Sequence, residues 1–226
     1  MEPEASAPAV VVSIVKPLLR GWLHTICFFL AIPAGVLVVV SASTPRARAG
    51  AAVYAVGLAA VFGVSAAYHR GRWSDAARRR MKRLDHATIF VMIAGSYTPL
   101  CLVLGGAKGT GLLVAAWVGA GVGFALAVVG IVERPFVGTP FYIGLAWLLA
   151  LAVPELSGQL TATQFQLLVA GGILYTVGAI LFGTHWPNPI PGIFGYHEVW
   201  HVMVVAACVC HYGTIVSVVR AAARSG

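Results

Sequence analysis

The sequence predicts an all-α polytopic membrane protein, a bundle of seven transmembrane helices with its N-terminus in the cytoplasm. Three observations carry that expectation. Hydrophobic residues make up 59% of the 226 and charged residues only 10%, whereas a soluble domain carries roughly a quarter charged residues. The apolar residues gather into seven runs, most of them near the ~20 residues that a helix needs to cross a bilayer. The basic residues lie in the short segments between those runs, where they act as topology signals.

Taken in order, helices are expected at 22–42, 51–69, 84–104, 110–131, 139–153, 165–185 and 197–219. Breaks are marked by Thr44-Pro45, by Gly105-Gly106 and by the run Pro187-Asn188-Pro189-Ile190-Pro191. The fifth helix is short; Pro140 suits its first turn and Pro154 closes it. Residues 10–20 are apolar but too short to span, and are expected to lie at the interface. The chain therefore reads as one membrane domain, 22–219, with a cytoplasmic or interfacial segment 1–21 and a short tail 220–226. Residues 1–8 hold Glu2 and Glu4 and no base, the wrong charge for a secretory signal, so the first helix is expected to direct insertion. The 26 glycines suit close helix packing, and Gly119 with Gly123 forms a GxxxG on the fourth helix.

The net charge of +8 does not mark a nucleic-acid binder, because the bases are dispersed among the connecting segments. With the N-terminus inside, ten bases fall on the cytoplasmic side: Lys16, Arg20, Arg70, Arg72, Arg78, Arg79, Arg80, Lys82, Arg83 and Arg134. Five fall outside: Arg46, Arg48, Lys108, Arg220 and Arg224. That bias sets the expected orientation. Segment 70–83 supplies most of it, as a topology anchor first and an anionic-lipid contact second. Cys27, Cys101, Cys208 and Cys210 lie inside apolar runs with no CxxC, and read as buried packing thiols.

Ionisable residues inside membrane segments are costly and few here, so each needs a reason. His197 and His201 stand four apart, which puts both imidazoles on one helical face, a spacing that suits one metal ion. A catalytic zinc usually takes three protein ligands and water. The topology nominates the third. Helix 2 runs inward and ends at His69, while helices 3 and 7 run outward from near Asp85 and His197, so all these positions meet at one membrane face. His211 lies ten residues beyond His201, roughly 15 Å along a helix, too far to share the ion. His24, His86 and His185 read as ordinary histidines near helix ends.

The chain resembles the progestin and adipoQ receptor superfamily, and most closely its bacterial haemolysin III branch. The resemblance runs through Ser65-Ala66-Ala67-Tyr68-His69, Leu84-Asp85-His86 and Gly95-Ser96-Tyr97-Thr98-Pro99. It continues in Trp186-Pro187-Asn188-Pro189, Phe194-Gly195-Tyr196-His197-Glu198, His201 and Cys210-His211-Tyr212. It implies seven helices with a cytoplasmic N-terminus, zinc on His69, His197 and His201, and Ser65 and Asp85 close to the zinc-bound water. It also implies a bacterial inner-membrane location, with membrane lipids and zinc rather than nucleic acid as partners.

The leading expectation is a zinc-dependent hydrolase of a lipid amide or ester, similar to a ceramidase, with Asp85 accepting a proton and Ser65 hydrogen-bonding near the same water. Tyr68 or Tyr97 would steer imidazole tautomers. Two other readings stay open. His197 to His201 matches HExxH literally, with Glu198 as the base of a membrane protease. Alternatively the protein is a receptor, regulator or haemolysin in which zinc is structural and Asp85 closes the fourth position.

Overall fold

The structure is a computed structural model that describes residues 16–222; residues 10–15 of the expected interfacial segment lie outside that range. Among the described residues, seven helical stretches are long and apolar enough to cross a membrane. They are α1 (Trp22–Ser41), α2 (Pro45–Arg70), α3 (Asp75–Leu104), α4 (Gly106–Val128), a fifth span made of α5 (Pro135–Trp147) and α6 (Val153–Gln159), α7 (Ala162–Thr184) and α8 (Tyr196–Ala221).

Several boundaries differ from the expected ones, for local reasons. Helix α2 begins six residues early, because Pro45 suits its first turn and the Thr44 hydroxyl accepts the Ala47 N–H at 3.1 Å. Arg46 and Arg48 are therefore helical. Helix α3 begins at Asp75, nine residues early, with Ser74 at its cap. Its 30 residues span about 45 Å, against roughly 30 Å of hydrocarbon, so the stretch bearing Arg78 to Arg83 extends past the apolar layer as helix. Helix α8 runs two residues past the expected tail boundary.

The fifth span departs most. It starts at Pro135, Pro140 lies inside it, and Pro154 does not close it. The chain passes through a tight 3-10 stretch, Leu148–Ala152, and restarts as α6 with Pro154 in the first turn, where a missing N–H costs nothing. Backbone groups freed in an apolar layer need partners. Tyr97 of α3 supplies them: its buried hydroxyl reaches the carbonyls of Leu145 (3.0 Å) and Ala146 (2.9 Å) and accepts the Leu149 N–H at 2.6 Å. Tyr97 is thus committed to this break and not to steering an imidazole.

Sequential helices pack as neighbours, α1 on α2, α2 on α3, α3 on α4 and α7 on α8. Helix α8 also touches α1, α2 and α3, so it closes the bundle. Tyr54, Phe90, Val38, Ile215 and Val219 fill the interior, while Phe29, Leu30, Val56, Val118 and Val209 face outward. Outward apolar side chains are stable where the solvent is lipid. Gly119 and Gly123 do mark close packing, but their neighbours are side chains. A Cβ at Gly123 would collide with the Phe90 ring, and one at Gly119 would come within 2.7 Å of Leu145.

Tyr97→Phe should lower the thermal midpoint of the detergent-solubilised protein. It removes both roles of the hydroxyl and leaves the Leu149 N–H without a partner, at a cost of about 1–3 kcal/mol. Ser157→Ala, on an exposed turn of α6, is the neutral control.

Candidate metal centre

Helix α2 ends at the face where α3 and α8 begin, and this antiparallel alternation decides the site. His69 lies in the last turn of α2, and His197 and His201 in the first two turns of α8. Although 128 residues separate them, the Nε2 atoms of His69 and His197 stand 3.2 Å apart. One nitrogen from each of the three imidazoles lies within 4.8 Å of the others, so this group could hold a metal ion. It is the arrangement the i,i+4 spacing and the topology predict. A hydrogen bond between the His69 and His197 rings would satisfy two nitrogens, but it does not account for the third ring converging on them. His69 and His201 are buried and His197 is half-buried.

Asp85 stands beside the group without joining it. Its Oδ2 is 4.0 Å from His69 Nε2, and its side chain is 15% exposed. Buried Ser65, one turn before His69 on α2, has its hydroxyl beside the Asp85 carboxylate. All five residues named from the sequence thus lie together. His86 and His185 stay outside the convergent group. His211 is also elsewhere, with Nε2 3.2 Å from the Leu168 carbonyl, on the wall of a cavity of about 80 Å³ between α3, the fifth span, α7 and α8. The cysteines carry free thiols and are not part of the group, Cys208 lying 3.0 Å from the Tyr175 hydroxyl.

Glu198 has a different task from the one HExxH suggests. It is 4% exposed, accepts the Gly195 N–H at 2.9 Å at the start of α8, and pairs with Arg20 from the turn before α1. With both oxygens occupied it is a structural carboxylate.

The sequence reading missed the layer behind the ligands, which comes from residues 16–24. The Lys16 ammonium donates to the His69 carbonyl. Partial burial, then the charges of Arg78, Arg20 and Arg70, hold that ammonium below its ordinary pKa. Leu18 and Leu19 donate backbone N–H groups to the carbonyls of Gly192 (3.0 Å) and Ile193 (3.2 Å) in the α7–α8 loop. Gly21 adopts φ +82° and sits where a Cβ would be 2.6 Å from that of His69, so both its conformation and its lack of a side chain are required. The His24 ring stacks on the His201 ring. No helical spacing marks these residues, because Lys16 and Arg20 lie in the turn segment before α1.

The family model described as haemolysin-III related matches residues 12–212. The chain belongs to the haemolysin III family. It is 35% identical over 193 residues to Hemolysin-3 of Bacillus cereus, covering 80% of this chain and 82% of that one. Relatives from the progestin and adipoQ receptor superfamily match as well. Monocyte to macrophage differentiation factor of Homo sapiens is 27% identical over 168 residues, 72% of this chain and 67% of that one. ADIPOR-like receptor IZH2 of Saccharomyces cerevisiae (strain ATCC 204508 / S288c) is 45% identical over 56 residues, 22% and 18% of the two chains. With seven membrane-length helices, this family member is a multi-pass integral membrane protein.

Arg20→Met should destabilise the protein by roughly 3 kcal/mol, since it leaves the Glu198 charge buried without its partner. Adding Glu198→Gln should recover part of that loss, because the amide still accepts the Gly195 N–H and carries no charge. Thermal midpoints of the two variants in detergent check this; a double variant less stable than Arg20→Met alone would contradict it.

Proposed function

We propose that this haemolysin III protein is a zinc-dependent membrane hydrolase that cleaves an amide or ester linkage of a lipid. The observation that carries the reading is a half-buried carboxylate, Asp85, held beside three convergent imidazoles yet outside their group. Tetrahedral zinc with Zn–N bonds of about 2.0–2.1 Å sets its ligand nitrogens roughly 3.3 Å apart. The 3.2 Å between His69 and His197 suits that spacing. His69, His197 and His201 would hold the ion, and three protein ligands are the pattern of catalytic rather than structural zinc. Zinc, when bound, supplies Lewis acidity, which acidifies water and polarises a carbonyl.

The chain's own groups do the rest. The Asp85 carboxylate accepts a proton from the attacking water and later delivers it to the leaving amine or alkoxide. The Ser65 hydroxyl orients that carboxylate. The surrounding helices limit access of bulk water, which strengthens each of these contacts.

Depth supports a lipid substrate. Helix α2 is 26 residues, about 39 Å, so a centred helix places His69 about 17 Å from the bilayer midplane. The hydrocarbon half-thickness is about 15 Å. The site then lies at the layer where lipid head groups join their acyl chains. The ten-to-five distribution of bases supports a cytoplasmic N-terminus and a site facing the cytoplasm, and the likeness to the Bacillus cereus protein supports residence in a bacterial inner membrane.

The test uses purified protein in detergent, with zinc quantified and membrane lipids identified by mass spectrometry before and after incubation. His69→Ala should lose the metal. Asp85→Asn should keep it and lose 10²-fold or more in turnover, the usual scale of general-base removal. Glu198→Gln should retain far more turnover than Asp85→Asn; the reverse order would favour a protease. Zinc-loaded protein that leaves every lipid intact would instead favour a receptor, the term in the yeast relative's name.

A further inference from the structure

His24 is the ring the metal reading does not use. It lies in the first turn of α1 and is 4% exposed. Its plane is parallel to His201 within 1°, with ring centroids 3.8 Å apart. Phe62 of α2 stands edge-on at 5.1 Å. Both His24 nitrogens are buried without a hydrogen-bond partner among the described residues. A histidine that ligates a metal is ordinarily oriented by a hydrogen bond from its second nitrogen to a carboxylate, carbonyl or water. Among the described residues no carboxylate or carbonyl hydrogen-bonds the His201 ring; what reaches it is a flat face.

We propose that His24 is a positioning residue for the metal, and that its stacked face sets the plane of the His201 imidazole. The proposal rests on the metal reading above. A flat ring at van der Waals distance resists rotation of its neighbour out of plane, because tilting brings edge atoms into the face. Phe62 on α2, the helix that carries His69, braces the plate, so the plane of His201 is referred to the helix of another ligand. The placement of His24 follows from its own chain: Gly21 lets the turn press against His69, and Arg20 fixes that turn to Glu198, between His197 and His201 in sequence.

The experiment separates the face from the nitrogens. His24→Leu fills the space but offers no flat face; His24→Phe keeps a flat face and has no ring nitrogen. Full-length protein in detergent is titrated with Co²⁺, whose visible absorption reports both affinity and coordination geometry. Outer-layer partners of metal ligands are typically worth 10–100-fold in affinity, so His24→Leu should bind that much more weakly with an altered band, and His24→Phe within roughly 3-fold of the parent with the parent's band. Leucine binding as tightly as the parent overturns the proposal; so does phenylalanine as weak as leucine. Should the leucine protein fail to fold, as judged by circular dichroism, His24→Met carries the same comparison. A parent protein that takes up no cobalt fails the metal reading itself, whereas a parent that binds beside an unaffected leucine variant fails this proposal alone.

Discussion

The pair between half-buried Arg20 and buried Glu198 is the contact on which the donor arrangement depends. His69 stands 128 positions before His197 in the sequence, and α2 and α8 share only a small contact. Their relative position is set by a third party, the segment leading into α1. Arg20 takes hold of α8 through Glu198, while Lys16 takes hold of α2 through the His69 carbonyl. Charges buried at such a place are costly when separated, so the pair specifies one register of α1 against α8 rather than adding much net stability.

Most of the fold was legible because lipid imposes a simple rule. A spanning segment must satisfy its backbone internally, so apolar runs of the right length are helices. What was not legible lies where that rule stops. The start of α3 is in water, where Arg78 to Lys82 are good helix formers and Ser74 supplies a cap; hydropathy does not detect such a turn. The fifth span failed for another reason. Whether a proline ends a helix or restarts one depends on what satisfies the freed backbone, and here the answer is Tyr97, about 50 residues earlier.

The site was legible to the extent that it follows from topology. Counting crossings brings His69, Asp85, His197 and His201 to one face, and the i,i+4 spacing aligns the α8 pair. His24 was not legible, because its role depends on a parallel stack at 3.8 Å, which no spacing along α1 announces. The same holds for Lys16, whose partner is a backbone carbonyl and so leaves no trace in residue type.

Glu198 shows why the same letters can mean different chemistry. In an HExxH helix the two histidines face the metal, and the glutamate next to the first lies about 100° round the helix. Its use then depends on what else occupies that side. Here α8 starts at Tyr196 with Gly195 as its cap, which makes Glu198 the third residue of the helix. That is where a carboxylate best accepts the cap N–H and best opposes the positive end of the helix dipole. The early placement of His197 therefore decides the fate of its neighbour: an acid one residue further on, in the first turn, is drawn to the backbone and to Arg20. The proton-accepting role then falls to a carboxylate from another helix. Asp85 suits it because α3 is already a turned helix at that depth, with its own backbone donors satisfied and its carboxylate left to Ser65 and the histidines.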